Sequence, residues 1–546
     1  MQRETTKFEI VKGVPVAHTG KIPFHAFSKA LEDESSYERS VWDLASILDD
    51  PFDPDALSNI HQSEQSTYAN RHRKEQLARF WETLCEATAS RAAGRASSAE
   101  ERAIAHLSAN KVEEACKTLI QNKDFRLSVL VSQIGGEAEI RQDLTEQINA
   151  WRDLKALSEM SDAIRALYEL VAGNVCTCKG TGKAHIEDRA ETFILSERFN
   201  MDWKSAFGLR LWYGTLPDDP WYFAVLDKYQ KDLKEGREPR NPYADNTQSV
   251  IQDGSLSRPQ DFLWSLLVFR AEAHGQRPQK AGQFTKFLLP QNQTSPALGS
   301  RLAFQLYQSY DVRVGPALHD PMSAAQISDH FTRELLSAGH WLWAMFVTLH
   351  LPDPNSRQKG IRDLLNANAA SIGDRESDTF KTLNNEFKIP AQWIFEAQAS
   401  HAKTELHDSA SQVAFLLQAE DWDEAHGVLC SVVGPKAVIE QDVTGLRDLL
   451  GSFAEGKSKV ANWNQGGRIF DDYFSLQSPD LSPKDQGTIV KRMLKALPAF
   501  GGEGRSERLS FEEKVALKEM GSTVGQLAVN LGEVSSTSGY SLVMWY

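Results

Sequence analysis

From Tyr37 onward, apolar residues recur at steps of three and four and rarely at steps of two. A stripe with that period can be buried only along one side of an α-helix, so the chain is constrained to fold as packed helices with few strands. In residues 37–48, Val41, Leu44, Ala45 and Leu48 share one face; in 73–89, Leu77, Phe80, Trp81, Leu84 and Thr88 do the same. Counted this way, about twenty-five helices of roughly 10 to 18 residues follow one another, with breaks such as Gly135-Gly136, Pro352-Asp353-Pro354 and Gly434-Pro435. Short helices joined by short breaks predict an all-α, irregular helical solenoid, which grows by stacking rather than around one centre.

A weak internal repeat supports stacked hairpins. Leu107-x-Ala109-x-x-Val112-x-x-Ala115, Leu336-x-Ala338-x-x-Trp341-x-x-Ala344 and Leu417-x-Ala419-x-x-Trp422-x-x-Ala425 share one frame, and Trp203-Lys-Ser-Ala206 is a partial fourth copy. The first Ala closes one helix, two residues turn, a bulky residue wedges open the second helix, and the last Ala lets a neighbour approach. The copies are unevenly spaced, so this is not a fixed-period array. Two regions depart from the helical pattern. Residues 1–30 alternate and break at Gly13, Pro15, Gly20 and Pro23, which predicts an extended segment with one strand, laid along something else. Residues 236–260 and 275–300 are rich in Pro, Asn, Gln and Ser and read as surface loops.

Composition removes several function classes. Across 546 residues, 60 Lys and Arg face 74 Asp and Glu, a net charge of −14, so the cationic surplus of a dedicated nucleic-acid binder is missing. Five scattered cysteines make no disulfide framework, and a reducing, intracellular setting is expected. The most apolar runs, 262–269 and 341–351, stop short of the ~20 residues a membrane span needs, and residues 1–30 lack a signal-peptide core.

Motifs that could carry chemistry are few. Asp423-Glu424-Ala425-His426 spells the metal-binding tetrapeptide of one helicase class, which would make the chain an ATP-dependent remodeller. That chemistry needs a phosphate-cradling loop, and Gly182-Lys183 is followed by Ala184 and lacks the leading glycine. The tetrapeptide also falls inside the hairpin repeat, where Ala425 is a packing position and His426 an ordinary helix residue. Cys176, Cys178 and His185 have neither the spacing nor the fourth ligand of a structural zinc site. Arg71-His72-Arg73-Lys74 reads as the exposed start of a helix, and the pairs Asp49-Asp50 and Asp471-Asp472 are not set to face one substrate. No catalytic, cofactor-binding or metal-ligating residue is assigned. In the carboxy-terminal region, Ser510-Phe-Glu-Glu513 is a capping box, and Leu517, Met520, Val524, Leu527 and Leu531 form a seam suited equally to an internal contact or a partner helix.

Six segments, in order, carry a family resemblance: LSANKVEEACKTLIQNKDFRLSVLVSQIGG (107–136), INAWRDL (148–154), RALYELVAG (165–173), DWKSAFGLRLWYG (202–214), PKAVIEQD (435–442) and VALKEM (515–520). Together they resemble the nucleoporin ninety-six family, in fungi the carboxy-terminal product of nucleoporin one-hundred-forty-five, over roughly residues 30–535. The resemblance implies an ancestral coatomer element: a folded-back solenoid with trunk, crown and tail modules, acting as a structural scaffold in the Y-shaped coat of the nuclear pore complex at the nuclear envelope. Through pore assembly it would support nucleocytoplasmic transport, including protein transport and mRNA export. The rival within the same architecture is a vesicle-coat solenoid.

Carried onto this chain, the resemblance implies an extended segment at 1–30, a trunk at 31–96 and 216–400, a crown at 97–215 and a tail at 401–546. In the family the crown meets the stem solenoid subunit and the tail enters a hub with two further scaffold subunits. The Sec-thirteen propeller binds through an amino-terminal blade, and the segment up to Phe27 is too short to supply a whole one. For the hub, the tail's exposed-looking apolar residues are expected to serve: Phe470, Tyr473, Phe474, Val490, Met493, Leu494, Leu497, Leu517, Met520, Val524 and Leu527.

Overall fold

The computed structural model describes residues 1–33, 36–52, 61–62, 64–182, 185–215, 222–243, 250–252, 255–257, 260–274, 288–289, 296–314, 320–453, 456–478, 481–500 and 509–532. The described chain is overwhelmingly helical, with three two-stranded antiparallel ribbons, and is an irregular helical solenoid as the periodicity predicts. It divides into two compact units, one of Met1–Thr5 with Thr19–Glu334, the other of Thr6–His18 with Leu335–Tyr546. The break falls inside the expected 216–400 segment. Much of the expected loop regions, including 244–249, 275–287 and 290–295, lies outside the described residues.

The hairpin repeat has a backbone cause. In all three copies the fourth residue of the frame is left-handed: Asn110 (φ 59°), Gly339 (φ 78°) and Glu420 (φ 60°). The next amide then reaches back to close the preceding helix, Lys111 N to His106 O at 3.0 Å, His340 N to Leu335 O at 2.8 Å and Asp421 N to Leu416 O at 3.0 Å. This cap turns the chain and starts a new helix two residues later. Ala109, Ala115, Ala344, Ala419 and Ala425 are buried as the frame requires. The middle copy departs from it, since Leu336 and Ala338 are exposed, and Trp341 and Trp422 are half-buried rather than enclosed.

In the first unit the chain returns on itself. The helix Tyr37–Asp49 packs against both Gln65–Arg95 and Phe262–His274, and Gln65–Arg95 packs against Trp203–Trp212. Trp81 joins Trp203 and Phe207, with ring centroids 5.9 and 4.9 Å away, and Trp264 joins Trp203, Phe207 and Tyr229. Gly208 is required there: a Cβ would lie 2.6 Å from Trp212 and 3.1 Å from Trp81. Asp49 and Asp50 sit at the end of their helix as a structural knot. Asp49 pairs with Arg270 at 2.7 Å and accepts from Tyr310 Oη at 2.8 Å; Asp50 pairs with Arg313 at 3.1 Å and accepts the amides of Phe24 and His25. Burial pushes the Asp49 carboxyl up. Asp50 is buried as well, but the two amides hold it below its ordinary value.

The basic run does not begin a helix. Its helix starts at Gln65, and Arg73 reaches from the third turn to donate to Asp50 O at 2.9 Å, satisfying a carbonyl at a helix end.

In the second unit, residues 6–18 are a hairpin rather than a single strand. Lys7–Val11 pairs with Val14–His18 through the two-residue turn Lys12-Gly13, both with positive φ. As expected, it lies along something else: Ala17 N donates to Leu349 O at 3.0 Å, Arg357 Nε donates to Pro15 O at 2.8 Å, and Phe8 packs on Phe387 and Phe346. Beside it His350 is buried, which lowers its pKa to about 4, with His18 adding to the effect. The remaining amino-terminal residues include the short helix Phe24–Lys29, which belongs to the first unit.

Candidate interaction surfaces

The tail seam resolves to a core. Phe470, Tyr473 and Phe474 lie on the helix Gly467–Leu476, Val490, Met493 and Leu497 on Pro483–Phe500, and Leu517, Met520 and Val524 on Phe511–Asn530; all nine are buried in one apolar cluster. Leu494 and Leu527 are half-buried against the same cluster. They are therefore not the exposed anchors expected of them. Pro483–Phe500 packs against both of the other helices, and Phe511–Asn530 packs also on Gly434–Glu440, because a lone stripe of this length is buried by the nearest helices of the same chain. Asp472 and Arg492 fasten two of these helices by a bidentate ion pair, which accounts for half of the Asp471-Asp472 doublet; Asp471 pairs with Lys457 at 3.3 Å.

The outer faces of the same region carry exposed apolar side chains among charged ones. Phe511 is 80% exposed and Val515, one turn on, 37%. Ile439 is 43% exposed on the helix Gly434–Glu440, which packs against Phe511–Asn530, and Val432 is 44% exposed just before it.

A stronger surface signal occurs at 120–129, which the sequence reading passed over. The helix Val112–Gln121 ends in a tight turn with Lys123 left-handed (φ 64°), and Asp124 caps the next helix, Phe125–Val131, by accepting from Leu127 N at 3.0 Å. That seven-residue helix buries Leu127, Leu130 and Val131 in the cluster that also holds Leu107, Leu167 and Leu170. Phe125 and Val129, four residues apart, point the other way and are 63% and 62% exposed, and Ile120 just before them is 47% exposed. Burying such side chains is worth roughly 1.5–3 kcal/mol each. The clue in the sequence is FRLSVLV, which is apolar on two faces where one core contact needs only one.

The helicase-like tetrapeptide is a structural device, and His426 is not an ordinary helix residue. Asp421 caps the helix Trp422–Val428, Ala425 is buried, and Glu424 is exposed. His426 Nε2 accepts from Gly467 N at 2.9 Å, tying this helix to the start of Gly467–Leu476, with Cys430 Sγ 3.3 Å away. Gly466 must lack a side chain there, since a Cβ would lie 2.5 Å from Nε2. Burial lowers the His426 pKa, the opposing pull of Asp423 notwithstanding.

Cys176 Sγ lies 3.5 Å from Arg237 O, Cys178 is buried, and His185 is exposed just before a short 3-10 turn. Among the described residues no three His, Cys, Asp or Glu side chains are grouped to hold a metal ion, and no helix is long and apolar enough to cross a membrane.

Helical hairpins with apolar outer faces describe an architecture, and comparison with known proteins names it. The chain matches the family Nup96, "Nuclear protein 96", over residues 101–401. It belongs to that family. It is similar to "Nucleoporin NUP145" of Chaetomium thermophilum, 31% identical over 435 residues, covering 79% of this chain and 21% of the relative. "Nucleoporin nup189" of Schizosaccharomyces pombe is 28% identical, covering 81% of this chain and 24% of the relative. "Nuclear pore complex protein NUP96" of Arabidopsis thaliana is 24% identical, covering 78% and 39%. The Nup96 chain thus spans about a fifth to two fifths of the length of these relatives.

Proposed function

We propose that this Nup96-family chain is a structural scaffold subunit of the Y-shaped coat of the nuclear pore complex, not an enzyme, and that it supports pore assembly and thereby nucleocytoplasmic transport and mRNA export. Its relatives are named as nucleoporins and nuclear pore complex proteins, so the nuclear pore at the nuclear envelope is its site of action. The single observation that carries the scaffold reading is the exposed apolar set Ile120, Phe125 and Val129 on a well-capped hairpin. A scaffold needs apolar surface that its own fold leaves open.

The modules of the proposal are a crown at 97–215, a trunk at 31–96 and 216–400, and a tail at 401–546. The crown meets the stem solenoid subunit through Ile120, Phe125 and Val129. The tail meets the two hub subunits through Phe511, Val515, Ile439 and Val432, while the nine buried and two half-buried seam residues hold those helices in position. Sec-thirteen joins if an amino-terminal blade accompanies the chain; nucleic acid, cofactors and metals have no part.

The test is reconstitution with the stem and hub subunits. Phe125→Asp with Val129→Asp should weaken stem binding at least ~100-fold, because apolar anchors commonly cost about 1 to 4 kcal/mol each, and leave hub binding intact. Unchanged stem binding in a folded double mutant would remove the crown assignment. ATP hydrolysis that Glu424→Gln abolishes would overturn the non-enzymatic reading.

A further inference from the structure

A groove in the first unit takes no part in the surfaces above. It lies where the end of the helix Gln65–Arg95 meets the helix Ala99–Leu107 and the residues that follow the short helix Leu195–Arg198, and it encloses about 400 Å³. Its floor is formed by the buried side chains of Ile104, Ala105, Met201 and Ser205. Its rim carries three exposed guanidinium groups, Arg91, Arg95 and Arg198, and one carboxylate, Glu101.

The cations retain donors and the carboxylate is engaged. Glu101 Oε2 accepts from the amide and hydroxyl of Ser97 at 2.9 and 2.6 Å, and these bonds hold its pKa below the ordinary value. Arg91 donates to Ala87 O and Thr88 Oγ1 through two of its three nitrogens, and Arg198 gives only Nε to Asp162, at 2.7 Å. Arg95, among the described residues, donates to no acceptor. In a chain of net charge −14 the Arg91–Arg95 side of this rim is cationic, Arg198 being ion-paired with Asp162, and it stands above a floor that is apolar at Ile104, Ala105 and Met201 and polar at Ser205; such a site selects the opposite charge.

The spacing of the charges narrows the class of ligand. Arg91 and Arg95 stand one helical turn apart, about 6 Å, and Arg198 comes from a different element, so the cations are spread along the groove. Spread cations match carboxylates distributed along a peptide better than one compact phosphate, which calls for donors converging on a point. We propose that this groove docks a short acidic peptide segment of a partner protein, with an apolar side chain on the floor and Asp or Glu residues against the three arginines.

The experiment uses the full chain and a fluorescein-labelled peptide of alternating Asp and Leu, with a Lys-for-Asp peptide as control, read by fluorescence anisotropy at low and moderate salt. The acidic peptide should bind in preference to the basic one and weaken as salt is raised. Arg91→Gln with Arg95→Gln should reduce its affinity at least about tenfold while leaving the melting temperature unchanged. Arg95→Gln alone, which disrupts no hydrogen bond in the fold, is the second variant and should give a smaller loss in the same direction. The proposal is overturned if the acidic peptide has no advantage, if both variants bind it as the parent does, or if inorganic phosphate at matched ionic strength displaces it, which would make this a single-anion site.

Discussion

The helix Phe511–Asn530 and the helix Phe125–Val131 present apolar residues in opposite ways. The long one, capped and striped, advertises a partner seam along its length, yet it buries Leu517, Met520 and Val524 against its own neighbours and leaves Phe511 and Val515 exposed at its start. The short one has the length of a minor connector, yet it leaves Phe125 and Val129 in solvent. A single stripe is what any helix needs to join its own core; apolar residues beyond that stripe are the surplus available to another molecule. Counting faces, rather than judging the strength of a stripe, separates core residues from surface residues in both helices.

The largest effect that could break this contrast comes from the buried side. Leu517→Asp with Val524→Asp puts two unpaired carboxylates into the tail core and should abolish its cooperative unfolding transition, followed by circular dichroism and calorimetry. A stable double mutant that only loses hub binding would return the seam to the surface. Next in size is the hairpin wedge. Trp422 packs near Phe453, and its ring occupies the space a Cβ on Gly456 would need, whereas Trp341 belongs to the copy whose Leu336 and Ala338 face solvent. Denaturant titration should therefore give about 3 kcal/mol for Trp422→Ala and less for Trp341→Ala. Equal losses would mean that the frame, not the local packing, sets the cost.

Smaller again is the pH dependence of the tail. His426 accepts a hydrogen bond through Nε2, so the fold favours its neutral form, and its pKa lies below the ordinary 6.5. A depressed histidine contributes stability that is present above pH ~6.5 and fades as the pH falls through its lowered value. The loss should approach about 1 kcal/mol, one hydrogen bond, and His426→Gln, which keeps an acceptor, should flatten that part of the profile. A profile unchanged by the substitution would assign the pH response elsewhere. The smallest effect sharpens the exposed side: Phe125→Asp should alter stability by no more than ~0.5 kcal/mol in a denaturant titration. A larger loss would mean that Phe125 is part of the core.

Much of this was legible in the sequence, for identifiable reasons. The three-and-four spacing fixed helices as the building blocks, and the hairpin frame located three turns whose left-handed residue is Gly in one copy and Asn or Glu in the others. Gly339 and Asn110 announce that conformation by type; Glu420 is held in it by the cap hydrogen bonds around it. In the tail the sequence reading chose apolar residues that the fold buries or half-buries, and it passed over Phe125 and Val129, which the fold leaves exposed. His426 was unreadable for a different reason: its partner, Gly467, is 41 positions away, and no local pattern links them.

By itself the sequence determined the all-α class, the hairpin unit and the family, because these depend on periodicity and on ordered segments that survive in one dimension. Tertiary structure alone decided which apolar residues are core and which are surface, why Asp49, Asp50 and Asp472 are paired, and that Arg91, Arg95 and Arg198 line one groove. Burial is a property of neighbours, and in a solenoid those neighbours come partly from the next hairpin and partly from returns of the chain such as Tyr37–Asp49 against Phe262–His274, which periodicity does not encode.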